Sequence, residues 1–580
     1  MALAHAIVTA FSEFLEDPAG ILSQDAPNPR QRDLTDDPDD ARLAYLPEDA
    51  LPSPESGCII GVIDDAIPFV HQSLTVTGKL SRVAAVWMQD AKFRKDVGID
   101  LPTGAEWRGV ELSGLLNSGL DDDAIYRRTG AVDMTRPGIP SGAFQHGHGA
   151  SVTTLAAGFP PDDPAARNHP LIAVSLPPRI IADSTGVVAT VPILEGILFI
   201  LNRARRLCRF IETRRKPNAA VVRLPVVINI SLGLTAGPRD GSTPLERFMD
   251  AVSEHGVPGL GPVHFVFPVG NHRQARLRAR LRPGETIAWR LPPDDPTINA
   301  VEIWGPPRTP GASGPGPVLQ VTLKPPGMAP ATTAFTVPWQ YSILSDPGGK
   351  AVARAYYQPH LTRDGQWRDG IVVIALPTCP ERLGEPFAPP GEWKIAIPRN
   401  APAGIYDLSA QRDEVIRGYR GGARQSWFYD PAYRSHDPAG WPILTDAENG
   451  GRPKVIRTDT VNAYATGERP LRAGAAYGRS GRTTPYVGLL KTGLPGDCLA
   501  AVDRSPTDGG MIVRGRDSGS FGLASGTSLA GPQLARWLAE VLAGNASPLD
   551  RAAIVTRANT VFGPGQDGPV AGRDTRFPEY

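Results

Sequence analysis

Cys58-Ile59-Ile60-Gly61-Val62-Ile63-Asp64-Asp65 is a continuous apolar run that ends on two acids. A strand exposed on one face alternates apolar with polar residues, so an unbroken run predicts a parallel strand covered on both faces. Leu171-Ile172-Ala173-Val174, Val226-Val227-Ile228-Asn229-Ile230 and Val263-His264-Phe265-Val266-Phe267-Pro268-Val269 read the same way. Between these runs apolar residues recur at helical spacing. Ile193, Leu194, Ile197, Leu198 and Leu201 form one such set, and Leu245, Phe248, Met249 and Val252 another. Alternating strand and helix signals predict an α/β fold around a mostly parallel sheet. Ligands of such sheets collect beyond the carboxyl ends of the strands, and Asp64 stands at one of those ends.

The pattern changes between residues 283 and 455. Short strand-like patches, 318–323, 371–374 and 393–397, are separated by turns rich in Gly and Pro, such as 310–317 and 389–391. Short strands with frequent turns predict an all-β sandwich or jelly-roll-like unit. Helical and apolar strand patterns resume after about residue 461, so this unit reads as an insertion. The expected division is an N-terminal extension with a short helical start (1–56), an α/β unit in two parts (57–282 and 456–545), the inserted β unit (283–455) and a C-terminal segment (546–580).

Composition narrows the function. Lys and Arg number 60 against 60 Asp and Glu, so no global field recruits nucleic acid or a membrane surface. The four cysteines, Cys58, Cys208, Cys379 and Cys498, are scattered and form no CxxC pair. That pattern fits neither a disulfide framework nor a zinc site and suits a reducing compartment. The N-terminus lacks a basic n-region before Glu13, Glu16 and Asp17, so no secretory signal is expected. No stretch approaches the ~20 apolar residues that span a bilayer. The expected location is cytoplasmic.

Ser528 follows Gly526-Thr527 and opens a helical pattern through Leu529, Ala530, Leu534, Ala535 and Leu538. A serine there lies beside unpaired backbone N–H groups and the positive end of a helix dipole, which favour a developing alkoxide. An ordinary N-cap serine is the competing reading. A serine nucleophile needs a base, and the base needs an orienting carboxylate. His148, in His146-Gly147-His148-Gly149-Ala150, is the candidate base with His146 as competitor, and Asp64 is the candidate carboxylate. A turn aspartate is the bland alternative for Asp64.

Several segments together resemble the subtilase family of serine proteases. Residues 61–74 resemble its Asp segment, with Asp64 in the catalytic position and His71 and Leu74 trailing it. Residues 148–158 resemble the His segment, where Val152 and Gly158 match only if His148 is the base. Residues 228–233 resemble the strand that binds substrate backbone, 268–271 the oxyanion segment, and 524–532 the Ser segment. The order Asp, His, Asn, Ser also agrees with the family. Residues 460–467 and 516–520 resemble approaches to the Ser segment in members with insertions. Asp65 and Ala66 depart from the usual small hydroxyl residue and Gly, Ala150 from Thr or Ser, and Thr153 and Thr154 from Ala-Gly. Alternation along a strand is expected to turn the Asp65 side chain away from Asp64.

The resemblance implies a subtilisin-like three-layer domain and a serine endopeptidase. Asp64, His148 and Ser528 would be catalytic, Asn271 the oxyanion donor, and Ser231, Leu232, Gly233 and Gly270 substrate-binding residues. It implies no cofactor and no metal, a protein or peptide as substrate, and a candidate regulatory protein partner for the inserted unit. A catalytically silent binding protein of the same fold is the main alternative, and an esterase or peptide ligase a lesser one. Two basic stretches are read as structural first: Arg203, Arg205, Arg206, Arg209 and 214–216 as a solvated helix face and end, and Arg276, Arg278, Arg280 and Arg282 as a strand face that could meet an acidic partner.

Overall fold

The computed structural model of the chain describes residues 44–562 except 93–100, 136–140, 161, 215–220, 309–318, 383, 415–421, 450–452 and 544–548, together with 564–565 and 568–569. The expected short helical start and the 310–317 turn lie outside the described residues, as do Arg215 and Lys216.

All four apolar runs are strands of one sheet: β1 (Ile59–Asp64), β4 (Leu171–Ser175), β5 (Val226–Ile230) and β6 (Val263–Pro268). It also contains β2 (Val83–Met88), β3 (Ala105–Arg108), β18 (Leu471–Tyr477) and β19 (Cys498–Asp503), in the order β19-β18-β6-β5-β1-β4-β2-β3. Neighbours run parallel except β2 and β3. Helices are α1 (Gly109–Leu116), α2 (Asp122–Thr129), α3 (His148–Ala157), α4 (Pro178–Ala182), α5 (Thr190–Thr213), α6 (Pro244–His255), α7 (Ala530–Leu542) and α8 (Arg551–Phe562). Every residue of β1 is buried because both faces are covered. A Cβ on Gly61 would lie 3.1 Å from Ile200 of α5, and one on Gly196 of α5 would lie 3.0 Å from Ile63. Asp64, on the opposite face, meets α3 instead. Strand alternation thus puts helices on both sides and yields three layers.

The antiparallel unit comprises β7 (Arg278–Leu281), β8 (Thr286–Leu291), β9 (Asn299–Trp304), β10 (Thr322–Lys324), β11 (Ala331–Thr332), β12 (Tyr341–Ser345), β13 (Ala351–Leu361), β14 (Trp367–Ala375), β15 (Gly391–Ala396), β16 (Tyr406–Ala410) and β17 (Trp427–Tyr429). They form two sheets, β11-β10-β15-β8-β17 and β12-β13-β14-β9-β16-β7. Both sheets contribute to a second apolar core that runs from Leu277 to Val455. Trp289 and Trp393 meet edge to face there, with centroids 5.8 Å apart. A hairpin, β20 (Met511–Arg514) with β21 (Phe521–Ala524), returns the chain to the first unit just before Ser528.

In the two basic stretches Arg209, Arg214 and Arg282 are exposed, whereas Arg203, Arg278 and Arg280 are held by acids. Arg203 is buried and paired with Glu106 of β3 at 2.7 Å. An acid on the neighbouring strand draws this helical arginine inward, since a buried charge requires a partner. In β7, Arg278 is buried against Asp459, and Arg280 bonds Asp407 at 3.0 Å. Those two side chains hold β7 to its surroundings rather than offering a free basic stripe.

Candidate active site

β1 delivers Asp64 to the carboxyl edge of the sheet, fully buried. Its Oδ1 accepts from the Asp65 backbone N–H at 2.8 Å and from His148 Nδ1 at 2.7 Å. In the neutral ring, an acid facing Nδ1 fixes the proton on that nitrogen and leaves Nε2 as the free lone pair. His148 opens α3, which sits directly against the end of β1. A Cβ on Gly149 would fall 1.6 Å from the Asp65 carbonyl oxygen, so only glycine permits this approach. Close packing, predicted from the small residues after His148, is therefore a steric requirement.

Asp65 does not leave the site as strand alternation predicted. β1 ends at Asp64, and Ala66 adopts a left-handed φ of +39°. The chain turns, and Asp65 Oδ1 accepts from Gly149 N–H at 2.8 Å. Burial, then the neighbouring Asp64 charge, pushes the Asp65 carboxyl up to about 6. Burial of the His148 ring lowers its pKa, but the Asp64 charge and hydrogen bond, with Asp65 behind them, raise it to about 9. Arg412 opposes that rise.

Ser528 lies in a short 3-10 turn, Thr527–Leu529, that runs into α7. Gly526 before it has φ +119° and ψ 159°, a backbone state that disfavours any side chain. Thr527 N–H donates to Asn271 Oδ1 at 2.9 Å, as does its hydroxyl at 2.9 Å, while Gly270 N–H donates to Thr527 Oγ1 at 3.1 Å. A backbone N–H can only donate, so Oδ1 must face it, and the Asn271 NH2 is left as the outward end. Gly270 itself takes φ +96°. The Ser528 hydroxyl is directed at the Ser231 carbonyl oxygen, 3.4 Å away, and makes no hydrogen bond to His148 among the described residues.

Ser231, Leu232 and Gly233 extend from β5. Asn462 donates to Leu232 O at 2.7 Å and accepts from Leu234 N–H at 3.0 Å. In a strand, these groups share one edge, so the backbone groups of Ser231 and Gly233 face the other. His148, Ser231–Gly233, Gly270, Asn271 and Ser528 line a single cleft of about 940 Å³. His146 lies at its rim, where a Cβ on Gly522 of β21 would be 2.9 Å from the His146 ring. Asp64 pairs with His148, not with His146. His71 caps the 72–74 turn, its Nδ1 accepting from Ser73 N–H at 3.1 Å, outside the cleft.

Asn462, Arg412, His272 and Glu414 carry no individual signal in the sequence. Asn462 sits in the 460–467 segment that the family resemblance covers, but Arg412 and Glu414 lie in a region no motif covers. Among the described residues, one group has ligand atoms close enough to hold a metal ion, Asp64, Asp65 and His148, within 4.8 Å of one another. Asp64 Oδ1, His148 Nδ1 and Asp65 Oδ1 are already engaged in the hydrogen bonds above.

With this geometry in place, the fold can be set beside solved structures. The fold is similar to that of a protease. The solved Clostridium perfringens CspB protease matches over 93% of this chain and 99% of its own, with a TM-score of 0.56 and 15% identity. At that identity the likeness is one of fold. No family model and no curated protein matches the chain. Among the described residues, no helix is long and apolar enough to cross a membrane.

Proposed function

We propose that the protein is a subtilisin-type serine endopeptidase. The observation that carries this reading is the Asp64–His148 pair, set at the end of a buried parallel strand and opening on the cleft that holds Ser528 and the Asn271 amide. Ser528 Oγ attacks the scissile carbonyl while His148 Nε2 removes its proton. Asp64 holds the tautomer and stabilises the imidazolium without taking the proton. The Asn271 NH2 and the Ser528 N–H receive the oxyanion. Leaving-group departure, with the proton returned by His148, gives an acyl-enzyme that water hydrolyses by the same route. The substrate backbone pairs with Ser231 and Gly233 as an added strand.

The Ser528–Ser231 contact is long, at 3.4 Å, and catalytic hydrogen bonds often tighten only around substrate. That same contact is what favours the second reading, a silent binding protein of this fold. Labelling by a fluorophosphonate probe and digestion of a peptide library separate the two. Labelling that is lost in Ser528→Ala, with cleavage at defined bonds, supports the protease. A folded wild type that neither labels nor cleaves refutes it.

The division into 57–282, 283–455 and 456–545 is part of the proposal; two separate apolar cores support an inserted unit, but they start it at Leu277 rather than 283, because β7 pairs with β16. So is a cytoplasmic location, in keeping with four unpaired cysteines.

A further inference from the structure

Among the described residues that line the cleft, Arg412 alone comes from the antiparallel unit. It follows the end of β16, and its backbone N–H donates to Thr235 Oγ1 at 2.9 Å, which ties it to the segment after β5. The guanidinium meets Glu414 at 3.3 Å, and Glu414 meets His272, the residue after Asn271, at 3.4 Å. Glu414 is thus shared between two partners. Its own N–H donates to Ser184 Oγ at 3.0 Å, which fixes the other side of the pair.

Arg412 is held in place without being saturated. A guanidinium has five N–H donors in a rigid fork. Among the described residues, Glu414 takes one of them, and Nε is buried without an acceptor. Nη1 lies 3.7 Å from where a Cβ on Gly233 would stand, so the bare glycine leaves room beside the guanidinium. Ser231 is next to Ser528, and Gly233 is two residues further, about 7 Å along a strand. That separation corresponds to one or two residues of a bound peptide.

We infer that Arg412 is a specificity-determining residue that receives an acidic side chain of the peptide, at or beside the residue whose carbonyl Ser528 attacks. The inference rests on the proteolytic reading of the site. A carboxylate matches the planar fork, and Nη1, which faces the space beside Gly233 and has no acceptor among the described residues, discriminates against side chains that cannot supply one. The inserted unit would then select the sequence that the parallel-sheet unit cuts.

The test is a set of peptides that carry Glu, Gln or Lys at each position around the cleaved bond. At one position, kcat/KM for Glu over Gln should be about 10–100 in the wild type, the range of a charge-assisted hydrogen bond. Arg412→Gln should bring that ratio close to one, and Arg412→Glu should turn the preference towards Lys. Each ratio is taken within one variant, and fluorophosphonate labelling counts the folded sites, so partial misfolding does not alter it. A wild-type ratio near one at every position overturns the inference by itself, whatever the variants do. An unchanged Glu preference in Arg412→Gln also overturns it. A wild type that fails to label at Ser528 refutes the proteolytic reading and takes this inference with it, whereas a labelled wild type without acid preference refutes the inference alone.

Discussion

The parallel-sheet unit and the antiparallel unit are built on opposite rules. In the first, strands are buried on both faces and mostly apolar, with Glu106 and Asn229 as exceptions, and the polar groups of the cleft lie at or beyond strand ends: Asp64, Ser231 and Asn271. In the second, strands alternate and charges sit within the sheets, as in Arg280 with Asp407 at 3.0 Å and Arg308 with Asp369 at 3.0 Å. The first can concentrate its chemistry at one edge because most of each strand is apolar. The second spreads its charges across the structure and brings one, Arg412, to that edge. Reactive groups and the charge that selects among substrates therefore arise from different parts of the chain.

The largest test of this contrast is Ser528→Ala. On the proposed mechanism it lowers kcat by roughly 10⁶, the scale of losing such a nucleophile, and abolishes probe labelling. His148→Ala should approach this loss and His146→Ala should not; the reverse result would move the base to the cleft rim. Asn271→Ala should cost about 10²–10³ in kcat with little change in KM, as for other oxyanion donors. A KM effect alone would return Asn271 to a structural role beneath Thr527.

Gly149→Ala tests whether the edge is sterically unique. Its Cβ would lie 1.6 Å from Asp65 O. Forcing α3 off β1 should cost about 3 kcal/mol, the upper part of the usual overpacking range, seen as a fall in Tm together with activity. An unchanged Tm would show that the helix can slide.

The next test joins the two units. His148 must be neutral to act as base, and its pKa is raised to about 9. Below that value, kcat/KM should fall about tenfold per pH unit. Arg412→Gln removes a cation that lowers this pKa, so the acid limb should move to higher pH. A shift to lower pH would contradict the placement of that charge. The same elevation bears on folding: a raised native pKa stabilises fully below the ordinary 6.5, and the contribution fades as pH rises through about 9. The smallest effect is expected of Ala66→Gly. Relief of the left-handed φ of +39° should stabilise by up to about 1 kcal/mol, partly offset by glycine's chain entropy. Destabilisation would mean that the Ala66 methyl packs well enough to outweigh the strain.

Much of this was legible from one dimension. Runs such as 59–64 and 226–230 admit little but buried parallel strands, because nothing in them tolerates water. The sequence also nominated Asp64 at a strand end, Ser528 at a helix start and His148 ahead of small residues, while Asn271 followed from the family resemblance alone. Choosing His148 over His146 needed either the trailing Val152 and Gly158 or the observed 2.7 Å contact. Helical spacing shows which face Arg203 is on but not that Glu106 waits across it.

By itself, then, the sequence determined the apolar strands, the order of the site segments and the identity of the groups that could react. These are local properties, set by hydrophobic pattern and residue chemistry. Tertiary structure alone decided that Asp65 stays beside Asp64, that Asn271 presents its NH2 end, and that Arg412 reaches a cleft whose other residues lie far from it in the chain. Each depends on what a distant segment brings within hydrogen-bonding or Coulombic range, and one-dimensional spacing holds no record of that distance.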